Sequence, residues 1–69
     1  MKAAVLTLSD SCVAGTRVDE SGPHIASRLA EAGWEIVAAE IARDERAEIE
    51  AALIRFADEL GADVVLTTG

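Results

Sequence analysis

Apolar and polar positions alternate along the chain in blocks. Ala3-Ala4-Val5-Leu6-Thr7-Leu8 is apolar without any polar face, and Ser9-Asp10-Ser11 stops it. Such a run predicts a strand buried on both sides in a parallel sheet. From Ser9 to Gly22 there is no apolar periodicity, which predicts a long loop, and long loops in compact domains are disproportionately functional. Ser21-Gly22-Pro23 predicts the opening of a helix, with Pro23 near its first position and Ser21 as the cap. Ile25, Ala26, Leu29 and Ala30 then form one apolar stripe, and Gly33 sits where a helix ends. Trp34 to Ile41 predicts a second strand, which Glu35 and Glu40 place nearer a sheet edge. Asp44 reads as the cap of a second helix, with Glu45 and Glu48 favourably set against its dipole. Ile49, Leu53, Phe56 and Leu60 make the clearest amphipathic stripe in the chain, and Gly61 closes it. Val64-Val65-Leu66-Thr67 predicts a third short strand, followed by Thr68-Gly69.

The predicted order is β-α-β-α-β. This is the α/β class, a three-layer α/β/α arrangement with a parallel sheet and right-handed crossovers. The first strand is the most apolar, so it is expected between the other two. The connections leaving strands one and three then go to opposite faces, and their C-terminal ends form a topological switch point, where open α/β sheets bind ligands. Parallel strands also bring Ser9-Asp10-Ser11, Asp44 and Thr67-Thr68-Gly69 to one end of the sheet. Two carboxylates beside hydroxyls and a glycine turn can hold Mg²⁺ and a phosphate together. Plainer roles compete for each residue: a turn for Asp10, helix capping for Asp44 and a strand exit for Thr67-Thr68-Gly69.

Composition narrows the partners. With 69 residues the chain holds at most one domain, and at this size folding buries only roughly 60 % of the unfolded surface. Thirteen acids against six bases give a net charge of −7, so neither nucleic acid nor an anionic membrane surface is an expected partner. Cys12 is the only cysteine, which excludes an internal disulfide and a Cys-rich metal site and fits a reduced thiol in the cytoplasm. The apolar N-terminal run is too short for a signal peptide or a membrane span. Neither G-x-G-x-x-G nor G-x-x-x-x-G-K-[ST] occurs, which disfavours a dinucleotide site and a P-loop. His24 has no second His or Cys to build a ligand set with, and Trp34 reads as packing.

Leu6-Thr7-Leu8-Ser9-Asp10-Ser11, Asp19 to Gly22, Asp44-Glu45 and Leu66-Thr67-Thr68-Gly69 together resemble the first half of the MogA/MoaB-type molybdopterin-binding domain. The resemblance spans residues 1–69, read as a single partial domain. It implies that Thr67, Thr68 and Gly69 begin a loop cradling the molybdopterin phosphate, that Ser9 and Asp10 line the same pocket, and that Asp44 is catalytic and a possible Mg²⁺ ligand. The implied reaction joins AMP from Mg-ATP to the molybdopterin phosphate and releases pyrophosphate; the implied assembly is a homotrimer. Competence-damage proteins of the same family typically carry Gly-Asp-Glu after the first strand, so Ser9-Asp10-Ser11 points to the adenylyltransferase branch. The 69 residues stop at the first glycine of the implied loop, and they are therefore expected to be inactive and marginally folded when isolated. A non-catalytic molybdopterin-binding or assembly module is the second reading. A receiver or flavodoxin-like signalling domain is the third, although Ser9-Asp10-Ser11 and Thr67-Thr68 occupy the places where a receiver needs its acids.

Overall fold

A computed structural model describes residues 1–69. Its elements run β1 (Lys2–Leu8), α1 (Asp10–Val13), α2 (Ser21–Glu31), β2 (Glu35–Ala42), α3 (Arg46–Asp58) and β3 (Val64–Thr68). The three strands form one sheet in the order β2-β1-β3, with both pairings parallel. The α/β class, the parallel sheet and the central position of the first strand are thus as the apolar pattern predicts. Ala3, Ala4, Val5 and Leu6 are all fully buried, which explains why β1 shows no alternation: neither of its faces meets water.

The two faces of β1 are covered differently. Ala4 and Leu6 pack with Ala52 and Phe56 of α3, and this cluster is the hydrophobic core. Side chains alternate along a strand, so Val5 and Thr7 point to the other face, beneath Gly22 and Pro23 at the start of α2. The helices therefore lie on opposite sides of the sheet. β2 is bulged against β1, because Ala3 pairs with Ile36 while Ala4 pairs with Ala38. The extra residue lets Val37 and Ala38, adjacent in sequence, both pack against the core. Beyond β1 the burial is thin. Only Ala52, Phe56 and Gly22 are buried outside it, and Leu66 and Ile54 stay exposed at 37 % and 60 %.

Several boundaries differ from the sequence expectation, each for a local reason. The segment from Ser9 to Gly22 is not all loop: Ser9 caps α1, its Oγ accepting the Cys12 N–H at 3.3 Å. A single turn is too short to show an apolar period. Ser21 does not cap α2 but is its first residue. Glu20 holds the cap position without a side-chain bond, and Asp19 Oδ1 accepts the Gly22 N–H at 3.0 Å instead. Asp44 does not cap α3 either. Glu45 holds that position, and Glu48 Oε2 reaches back to the Arg43 N–H at 3.0 Å. The end of α2 follows expectation closely. Gly33 adopts φ +96°, its N–H donates to Ala30 O at 3.1 Å, and the Trp34 N–H donates to Leu29 O at 3.0 Å. This is a Schellman closure, and it turns the chain directly into β2.

Candidate functional site

The strands point their C-terminal ends to one rim, and a cleft of about 200 Å³ opens there beside β1. Thr7, Ser9, Cys12, Arg17, Asp19, Ser21 and Gly69 line it, with Val18 and Glu20. It lies at the switch point between β1 and β3, where the chain order places a ligand.

Asp19 organises the α2 side of this cleft. Its Oδ2 accepts the Thr7 hydroxyl at 2.8 Å, and its Oδ1 accepts the Gly22 N–H at 3.0 Å and, at 3.5 Å, the Ser21 hydroxyl. Thr68 Oγ1 donates to Ser21 Oγ at 3.2 Å, which ties the exit of β3 to the first turn of α2. One carboxylate thus holds strand and helix together where the strand ends and the helix begins, and it also occupies the positive end of α2. Glycine at position 22 is a steric requirement of this arrangement. A Cβ there would lie 2.4 Å from Asp19 Oδ2 and 2.6 Å from Thr7 Oγ1.

The other side of the rim is built by β1 and β2. The Ser9 N–H continues the sheet by donating to Ala42 O at 2.9 Å. The Asp44 N–H donates to Asp10 Oδ1 at 3.1 Å, across 34 positions of sequence. Two exposed acids that follow different strands are therefore neighbours, each with carboxylate oxygen left for a cation. Nowhere do three or more His, Cys, Asp or Glu side chains gather as a metal cage. Carboxylate oxygens are the donor type that Mg²⁺ takes, commonly one or two of them, with substrate phosphates and water completing the shell.

The expected site residues are therefore brought to one end but not into one pocket. Ser9 and Gly69 line the cleft; Thr68 adjoins it through Ser21; Asp10 and Asp44 stand together outside its lining. Thr67 differs. It pairs with Leu6 and Thr68 with Thr7, so the Thr67 side chain shares the α3 face with Leu6, away from Thr68. Thr7, Arg17, Asp19 and Ser21 are cleft residues that were not singled out as site residues. Asp19 could have been found as an acid three positions before a Gly-Pro helix start; Arg17 carries no such signal.

An open parallel α/β sheet with a small, mostly polar cleft at its switch point is the setting in which folds of this class bind ligands. Comparison with known proteins makes this specific. The family model described as "probable molybdopterin binding domain" matches residues 4–69, and the chain belongs to that family. The crystal structure of the molybdopterin biosynthesis enzyme MoaB from Thermus thermophilus superposes with a TM-score of 0.82 at 37 % identity, over 99 % of this chain and 43 % of that one. A molybdopterin adenylyltransferase of Pyrococcus furiosus is 44 % identical over 68 residues, 99 % of this chain and 39 % of the relative. A CinA-like protein of Mycobacterium tuberculosis is 38 % identical over the same length, which is 16 % of that relative. The chain thus spans less than half the length of these relatives. Family membership displaces the receiver-domain alternative. No helix is long and apolar enough to cross a membrane.

Proposed function

We propose that this protein serves molybdenum cofactor synthesis by binding molybdopterin at the rim of its sheet and taking part in its adenylylation. The observation that carries the reading is the hydrogen bond from the Asp44 N–H to the Asp10 carboxylate at the rim where the cleft opens, which brings two acids near an anion-sized space. The names of the Pyrococcus and Thermus relatives support it.

In this reading the molybdopterin phosphate enters the cleft. The Ser9 hydroxyl keeps its proton free to donate, because its oxygen is used only as a cap acceptor. Thr68 and Gly69 approach from β3, and Thr67 contributes its backbone, since its side chain faces α3. A phosphate oxygen of molybdopterin bonds to the α-phosphorus of ATP. The bond from that phosphorus to the oxygen bridging to the β-phosphorus breaks, and pyrophosphate leaves. Mg²⁺, held by Asp44 with Asp10, would neutralise charge that accumulates on the phosphates. Asp44 and Asp10 orient the incoming nucleotide against the seated phosphate, and this positioning supplies the protein's share of the rate. The working form in this reading is a cytoplasmic homotrimer.

Calorimetry of molybdopterin with and without Mg-ATP tests the proposal. Asp44→Asn is expected to lower turnover by about a hundredfold, the scale of losing one electrostatic contact to a transition state, and to leave pterin affinity nearly unchanged. Unchanged turnover would remove Asp44 from the reaction. Pterin binding without any nucleotide chemistry in the unmutated protein would favour the non-catalytic binding module.

A further inference from the structure

The chain carries a net charge of −7, and the cleft walls include Asp19 and Glu20, so an anion entering it meets an unfavourable field unless some group opposes it. The positive end of α2 cannot serve, because Asp19 already accepts the Gly22 N–H there. One cation lines the cleft, and it is Arg17. Its state differs from that of every other arginine in the molecule. Arg28 is paired with Glu31, Arg43 with Glu48, Arg46 with Glu50 and Arg55 with Glu40. Arg17 alone has no carboxylate partner, although Asp19 and Glu20 follow it within three positions.

The backbone holds Arg17 at this place. The carbonyl of Ser11, within the short helix α1, accepts the Thr16 N–H at 3.0 Å, the Arg17 N–H at 3.3 Å and the Thr16 hydroxyl at 3.1 Å. Three donors on one oxygen pin the segment to α1, and α1 is itself capped by Ser9 from the cleft floor. The guanidinium is therefore presented on an anchored turn. Asp19, in the same lining, has both oxygens engaged by Thr7 and Gly22.

We propose that Arg17 is the anion-recognising group of the cleft, its planar guanidinium forming paired hydrogen bonds to a phosphomonoester dianion seated over Ser9 and Gly69. A guanidinium suits that task better than an ammonium, since its fork of N–H donors matches two phosphate oxygens at once. This deepens the reading of the cleft as the pterin-phosphate site and rests on it for the identity of the ligand, but not for the chemistry of recognition.

The test uses two probes. Titration with inorganic phosphate, followed by NMR, is expected to move the Arg17 Nε–Hε signal and the Ser9 and Gly69 amides, and Arg17→Gln is expected to abolish these shifts. Absence of shifts at millimolar phosphate, or equal shifts in Arg17→Gln, overturns the proposal. With molybdopterin, Arg17→Gln is expected to weaken binding about ten- to hundredfold, the scale of charged hydrogen bonds, with Arg17→Lys in between. That loss is expected to vanish when the probe is the dephosphorylated pterin. An equal loss for both pterins overturns the role in phosphate recognition. Phosphate binding at Arg17 without any molybdopterin binding sustains this site and overturns the proposed function instead. Arg17 is exposed and unpaired, so the variants keep the fold, which a thermal melt verifies.

Discussion

The two faces of β1 are held to their helices by different physics. On the α3 face, Ala4 and Leu6 meet Ala52 and Phe56, and nothing polar intervenes. On the α2 face, the contact at the strand's exit is polar: the Thr7 hydroxyl, the Asp19 carboxylate and the Gly22 N–H. Apolar burial is non-directional and tolerates small shifts, whereas hydrogen bonds and a glycine contact fix distance and angle. The cleft lies on the side that is held directionally. The apolar face thus supplies stability while the polar face supplies geometry.

The largest expected effect is on the apolar face. Phe56→Ala is expected to cost about 3–5 kcal/mol, a large part of a small domain's stability, and the milder Phe56→Leu keeps the test readable by urea denaturation. If the comparison holds, Phe56→Leu leaves phosphate-induced shifts at Ser9 and Gly69 unchanged. Next comes Gly22→Ala, whose methyl would enter the space between Asp19 and Thr7. A destabilisation of about 1–3 kcal/mol is expected, with the cleft amides displaced in the NMR spectrum. An undisturbed cleft in Gly22→Ala would break the assignment of geometry to this face.

Thr7→Val removes one donor from the Asp19 carboxylate while keeping shape, and about 1–2 kcal/mol is expected from denaturation. Asp19→Asn, which retains an acceptor for the Gly22 N–H, is expected to fall short of Asp19→Ala in cleft disturbance; equal disturbance would show that acceptor geometry is not what matters. The smallest effect is expected at Arg46→Ala. Its 2.8 Å pair with Glu50 is a solvent-exposed i,i+4 contact on α3, worth about 0.3–0.5 kcal/mol, and no cleft signal should move.

Much of the fold was legible because each element declares itself locally. An apolar run with no polar face marks β1; steps of three and four residues mark α3; Gly33 marks the end of α2. The candidate site was legible only as a direction. Chain order brings Ser9, Asp10, Asp44 and Gly69 to one rim, but it does not separate those that line the cleft from those that stand beside it. The division of Thr67 from Thr68 follows from strand alternation once β3 is known to run through Thr68, and reading the pair as a turn concealed it. The short helix α1 has no period to read, and the caps of α2 and α3 shifted because Asp19 and Glu48 accept backbone N–H groups from outside the cap positions.

Local chemistry written along the chain therefore decided the element types, their order and the parallel sheet, since burial on one or two faces is encoded residue by residue. Tertiary structure alone decided which polar groups meet. Asp10 and Asp44 touch across 34 positions, Thr68 reaches Ser21 across 47, and Arg17 remains unpaired while every other arginine finds an acid. Hydrogen bonds act over about 3 Å, so these pairings depend on how strands and helices dock in space and leave no periodic trace in the sequence.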